Sequence, residues 1–220
     1  MNEHLIIALL AGYFMGSIPF GLLLVQLAGK GDIRKVGSGT MGATNVGRVL
    51  GTFGFVLTWI LDTSKAILPF IILQNFFGFD VGMVAGAAAI LGHNYPIWFG
   101  FKNSGKGFSA LLGFLLVLNP IAFVTAGLIW LIVALSYGYS SLAALVVISI
   151  LPVLGFAVSQ IAGLICTLLV VMEFFVYKNN IKRLLAGTEP KQANLKRLSL
   201  YLFLCGLAMV ILALVVYLNV

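Results

Sequence analysis

Charge is the scarcest property of this chain. Only 9% of its 220 residues are Asp, Glu, Lys or Arg, while 61% are hydrophobic. Soluble domains carry roughly 25% charged residues, so a soluble globule is excluded and most side chains must face lipid or one another. Cysteine is nearly absent. Cys166 and Cys205 both sit inside apolar runs, which excludes a disulfide framework and reads as buried small hydrophobes. Only two histidines occur, His4 and His93. No His, Asp or Glu cluster has metal-ligand spacing, so neither a metal nor another cofactor is expected. No Ser-His-Asp or Cys-His arrangement is legible. An aromatic-plus-basic nucleic-acid motif is also missing, so the net charge of +7 is read as membrane orientation. The N-terminus lacks the basic segment of a signal peptide, so the first apolar run is expected to remain as a span.

What the chain has in abundance is long apolar runs. Eight are candidate spans, at 4–29, 50–73, 81–99, 108–118, 121–136, 142–157, 160–177 and 198–219. All are expected to be helical, because a bilayer core leaves no water for open backbone groups. The fold class is therefore an all-α, polytopic helix bundle in a lipid bilayer. Twelve of the thirteen bases lie in the connections after spans one, three, five and seven: Lys30, Arg34, Lys35, Arg48, Lys102, Lys106, Lys178, Lys182, Arg183, Lys191, Lys196 and Arg197. The thirteenth, Lys65, is inside span two. The positive-inside bias makes those connections cytoplasmic and places both termini outside.

The same face collects the polar motifs. Residues 37–51, GSGTMGATNVGRVLG, hold five glycines, Ser38, Thr40, Thr44, Asn45 and Arg48. Glycine admits left-handed turns and close approach to peptide N–H groups, and hydroxyl, amide and guanidinium groups supply donors for an oxyanion. This stretch reads as a phosphate cradle. GSGTMG matches G-x-G-x-x-G and GFKNSGKG (100–107) approaches a P-loop. Neither follows a strand of a βαβ unit, however, and Gly107 stands where a P-loop needs Ser or Thr. The physics of N–H groups plus lysine around phosphate still applies, with a flexible connector as the bland alternative for each. Arg48 and Lys106 are the natural anion clamps. Asp62 and Lys65 are three apart on one helix face and able to pair. They either fix helix packing or support the site, since charges within a span are expensive. Glu173 either orients a base such as Arg48 or Lys106 or snorkels to the interface. His93, in LGHNYP, is either a hydrogen-bonding structural group or part of the site.

These motifs in this order resemble the bacterial acyl-phosphate:glycerol-3-phosphate acyltransferases. The resemblance runs from GSIPFG (16–21) to about Glu189. It is carried by GSG-x-x-GATN with Arg48, by Asp62 and Lys65, by LGHNYP with GKG, by Ser141–Leu142 and by NNIKRLLAGTE. It implies transfer of a fatty acyl group from acyl phosphate to glycerol 3-phosphate, giving lysophosphatidate and phosphate, on the cytoplasmic face of the bacterial inner membrane. Ser38, Arg48, Lys106, Ser141 and Asn180 are the implied catalytic set. The implied binding residues are Gly37, Gly39, Thr40, Gly42, Thr44, Asn45, His93, Gly105, Gly107, Tyr177 and Lys182, with Asp62, Lys65, Glu173 and Glu189 in support. Residues 1–197 would form the acyltransferase domain with the family's seven spans, and 198–220 an added eighth. The expected partners are the two substrates and the lipid bilayer, not nucleic acid, and a monomer suffices.

Four departures from the family stand out. Thr40–Met41 replace the usual Asn-Pro. Asn103–Ser104 precede a single Gly105 and lengthen the loop. Tyr177 stands where a His is common, offering a hydroxyl but no positive charge. The last span is additional. Position 98 is Trp98, so the H-x-x-x-x-D signature of the common glycerolipid acyltransferases is absent. Two rival readings remain: a transporter of an organic phosphate, which calls for polar groups at both membrane faces, and a chain of this type that has lost activity.

Overall fold

The computed structural model describes residues 2–100 and 105–191, with side chains from Glu3 onward. The expected span at 198–219 and the altered positions Asn103–Ser104 lie outside the described residues. All regular structure among the described residues is helical, and the chain divides into two compact units, Met1–Phe114 and Leu115–Val220.

The first unit holds α1 (Asn2–Gly16), α2 (Phe20–Leu27), α3 (Ala43–Phe77), α4 (Phe79–Asn94) and the start of α5 (Phe108–Leu118), with short 3-10 turns at Ile33–Lys35 and Ile97–Phe99. Helices α1, α3 and α4 pack on one another. Small residues allow that approach: Gly12 and Gly16 lie directly on the backbone of Ala85 and Ala89, and Gly92 lies on the carbonyl of Tyr13. Lipid offers no hydrophobic drive for helices to associate, so close contact of this kind supplies the dispersion energy.

Several expected boundaries differ from the structure. The first run is two helices, because Pro19 lacks an N–H and disfavours helical backbone at Ile18. Its break, Ser17–Pro19, is held by Ser17 Oγ donating to the Tyr13 carbonyl at 2.8 Å. Helix α4 stops at Asn94, two residues before Pro96, rather than running to 99. Helix α3 begins at Ala43, so Thr44, Asn45 and Arg48 lie on its first turns instead of in a loop. A non-helical Gly51, φ 69°, kinks α3 where the polar turn meets the apolar run.

The second unit contains α6 (Pro120–Tyr137), α7 (Ser140–Phe156) and α8 (Gln160–Leu185), with α7 packed against both others. Asn119 caps α6 by accepting from Ile121 N at 2.8 Å, with Pro120 at the first helical position. Gly138, φ 79°, closes it in the left-handed conformation glycine favours. Helix α8 runs two turns past the expected end at 177, which puts Tyr177, Asn180 and Arg183 on continuous helix.

Leu27, Phe76, Ile121, Val153 and Leu168 stand exposed around the two units, the mark of surfaces that lipid covers. Glu3–Leu27, Ala43–Phe77, Pro120–Tyr137 and Gln160–Leu185 are long and apolar enough to cross a membrane, while α5 and α7 are shorter apolar helices.

Candidate active site

Asn45 organises the glycine-rich segment. It is fully buried on the first turn of α3. Its Nδ2 donates to the carbonyls of Thr40 (2.8 Å), Val36 (2.9 Å) and Ile33 (3.3 Å). Its Oδ1 accepts from Ser38 N and from Arg48 Nη1, each at 3.2 Å. One amide thus ties together the loop before α3, both sides of Gly39, and the guanidinium. Gly37 and Gly39 take φ of 57° and 70°, and a Cβ on Gly37 would collide with Asn45 Oδ1. Gly42, by contrast, has an ordinary extended backbone and open space beside it.

Above this frame the donors are exposed. Ser38 Oγ and Thr40 Oγ1 are 2.9 Å apart. Arg48 is exposed, and among the described residues its hydrogen-bond partner is Asn45 Oδ1 alone. A guanidinium has five N–H donors, so most remain to be offered to an anion. Arg34 differs: it is held by Asp32 at 2.7 Å and lies over the Phe99 ring at 4.9 Å. Hydrogen bonds from the Arg34 guanidinium, and after them one from the Arg34 backbone N–H, hold the Asp32 carboxyl down at about 2. The two arginines of this segment are therefore not equivalent. Thr44 is half-buried beside Asn45.

A second cluster of the same unit lines a narrow cleft at the break between α1 and α2. Asp62 and Lys65 do pair, at 2.7 Å and almost fully buried. Lys65 Nζ also reaches His93 Nδ1 at 3.3 Å and lies over the Phe20 ring at 5.1 Å. Buried Gly105 lies on the His93 ring, half-buried Lys106 follows, and Gly107, φ 63°, accepts from Leu111 N at 2.8 Å as α5 begins. The sequence pointed to the Asp62–Lys65 pair through their spacing, but nothing in it linked Lys65 to His93.

In the second unit, Glu189 gathers three donors. Ser141 Oγ donates to Oε1 at 2.6 Å, Asn180 Nδ2 to the same oxygen at 2.7 Å, and Arg183 Nε to Oε2 at 2.7 Å. Burial works to raise the carboxyl, but the bonds from Ser141, Asn180 and Arg183 together outweigh it and hold Glu189 below its ordinary value. Nothing in the sequence links Arg183 to Glu189, because only the return of the chain after α8 brings the two together. Lys182, one position earlier, points to the exposed side of the helix. Tyr177 and Glu173 are buried on the same face of α8 as Asn180, so Glu173 does not snorkel.

With this geometry in view, the comparisons are specific. Residues 6–187 match the family model described as glycerol-3-phosphate acyltransferase. The glycerol-3-phosphate acyltransferase of Agrobacterium fabrum is 42% identical over 188 residues, covering 85% of this chain and 91% of that protein. A crystal structure of PlsY, an integral membrane glycerol 3-phosphate acyltransferase, in its glycerol 3-phosphate form superposes with a TM-score of 0.80 and 34% identity, over 88% of this chain and 98% of that one. Its lysophosphatidic acid form gives 0.79 and 33%, over 90% and 98%. A transporter of organic phosphate is not favoured by these likenesses. By family model, relatives and fold together, this chain belongs to the glycerol-3-phosphate acyltransferase family of integral membrane enzymes.

Proposed function

We propose that this protein transfers a fatty acyl group from acyl phosphate to glycerol 3-phosphate, releasing lysophosphatidate and phosphate. The observation that carries the reading is the Asn45-ordered turn with its exposed Arg48, a guanidinium that pairs with no acid among the described residues. Acyl phosphate is a mixed anhydride with a good leaving group, so no covalent enzyme nucleophile is needed. The glycerol hydroxyl attacks the acyl carbonyl carbon, the tetrahedral oxyanion collapses, and the C–O bond to phosphate breaks. The hydroxyl proton passes to a phosphate oxygen. The enzyme's work is to hold two anions together and neutralise the charge that develops.

Arg48, Lys106, the Ser38 hydroxyl and the turn's N–H groups other than those of Ser38 and Gly39, which bond Asn45 Oδ1 and the Val36 carbonyl, take the phosphate charge, with Thr40, Thr44 and Asn45 shaping the turn and Gly105 and Gly107 the second one. Ser141 and Asn180 serve substrate hydroxyl and phosphate oxygens, with Glu189 orienting both; Tyr177 and Lys182 complete the binding set. The active face is cytoplasmic in a bacterial inner membrane, as the clustering of twelve bases in alternate connections supports. Seven spans within residues 1–197 and an eighth at 198–219 complete the reading, and a single copy of the chain suffices.

The test is phosphate release from palmitoyl phosphate by detergent-purified protein, with and without glycerol 3-phosphate. Release should require glycerol 3-phosphate. Arg48→Ala and Lys106→Ala should each lower turnover by roughly 10²–10³, the usual cost of one oxyanion donor. Acceptor-independent release, or a variant with near wild-type turnover, would remove the corresponding role.

A further inference from the structure

Asp62, Lys65 and His93 form a buried polar chain; Asp62 and Lys65 lie inside α3, a helix long and apolar enough to span a membrane, where each charged group is costly and a role is the default expectation. Its bonding has a direction. An ammonium carries donors only, and Lys65 Nζ sits between Asp62 Oδ1 at 2.7 Å and His93 Nδ1 at 3.3 Å. Nδ1 must then be the acceptor, and the proton of the neutral imidazole is on Nε2. The alternative, a protonated ring paired with Asp62, requires a bond across 3.7 Å, beyond hydrogen-bond reach. The tautomer is therefore assigned by the network.

The Nε2 edge faces Gly105. A Cβ on Gly105 would collide with Nε2 and lie 2.6 Å from Cδ2 and 3.2 Å from the His93 carbonyl oxygen. The ring lies flush with the backbone one residue before Lys106. One residue after Lys106, Gly107 enters α5 through its bond from Leu111 N. Lys106 is thus held between a fixed imidazole and a helix start.

We propose that Asp62, Lys65 and His93 are positioning residues that lock His93 as the Nε2–H tautomer, a standing donor against Gly105 that sets the placement of Lys106 for acyl transfer. The inference rests on the acyltransferase reading for its consequence, though not for the tautomer itself. Neither Asp62 nor Lys65 touches substrate in this scheme; both act through the imidazole.

Two measurements test it. In a His4→Gln background His93 is the single histidine, and a two-bond proton–nitrogen spectrum of the labelled full chain reads its tautomer without any substrate. A protonated Nε2 with bare Nδ1 is expected; the reverse tautomer overturns the proposal. In the kinetic arm, His93→Gln brings an amide N–H to the place of Nε2, whereas the shorter His93→Asn stops at that of Nδ1. His93→Gln should keep kcat within about tenfold while His93→Asn loses roughly 10²-fold, with KM for both substrates little changed. Equal losses, equal retention, or losses confined to KM refute it. Lys65→Met alone would strand a buried carboxylate, so the double variant Asp62→Asn/Lys65→Met is used. It should lose both the pure tautomer and at least tenfold in kcat; if it keeps them, Lys65 does not set the ring. Wild-type protein without acceptor-dependent phosphate release would defeat the acyltransferase reading alone, and the spectrum would still decide the tautomer.

Discussion

Asn45→Ala is the sharpest perturbation of the proposed phosphate turn. The substitution removes two short donations, to Thr40 O at 2.8 Å and Val36 O at 2.9 Å, and three weaker bonds between 3.2 and 3.3 Å. Val36 and Ser38 are exposed residues and their bonds to Asn45 are only part-buried, so full burial penalties do not apply. Counting about 1 kcal/mol for each short bond and a fraction for the rest gives roughly 2–3 kcal/mol. If that energy orders the turn for phosphate, kcat/KM should fall roughly 30- to 150-fold, at about 1.4 kcal/mol per decade. The assay is acceptor-dependent phosphate release, alongside thermal unfolding to show that the bundle persists. Asn45→Asp separates donors from shape. It has nearly the same volume, keeps an acceptor for Ser38 N and Arg48, and turns a second oxygen toward the carbonyls of Thr40 and Val36. It should therefore be no more active than Asn45→Ala. An alanine variant within threefold of wild type, or an active aspartate variant, would refute the idea that this amide's donors build the site.

Three further outcomes follow from the same geometry. Gly37→Ala puts a Cβ at φ 57° into Asn45 Oδ1, whereas Gly42→Ala meets open space at φ −75°; kcat/KM should fall at least tenfold for the first, the cost of about 1.4 kcal/mol of strain, and stay within threefold for the second. Glu189 has a lowered carboxyl value when folded, so its stabilisation is present above the ordinary carboxylate range and is lost as pH falls through the lowered value. Apparent melting temperature should accordingly drop on acidification in wild type and less steeply in Glu189→Gln, whose amide keeps an acceptor for Ser141 and Asn180 but not the charge for Arg183; parallel acid limbs would contradict this. Gly16→Ala presses a methyl into the backbone of Ala89 and should cost about 1–3 kcal/mol of stability, while Gly127→Ala, with nothing within 4 Å, should leave the melting temperature unchanged.

The class of molecule and its chemical inventory were legible in the residues alone. Runs such as 121–136 and 160–177 have one stable form in lipid, the helix, because only a helix satisfies every backbone group within the segment; α6 and α8 cover both. The motif order around Arg48, Lys65, Lys106 and Asn180 was likewise enough to name the family. Even local pairing was readable where helix period dictates it, as for Asp62 and Lys65.

Tertiary structure decided what no periodicity encodes. Asn45 looked like one more cradle donor, yet its amide is turned inward on three carbonyls, a role set by the path of residues 33–40 folding back over the start of α3. Lys65 and His93 are 28 positions apart and meet only because α3 and α4 pack together, which small residues permit by bringing backbones close. Ser141 and Glu189, 48 apart, meet at a carboxylate that also takes Asn180 and Arg183. Composition says which groups a chain owns and local period says which neighbours they have along a helix. Distances between helices depend on packing energies spread over many apolar contacts, each about 0.1–0.2 kcal/mol, and those exist only once the bundle is assembled.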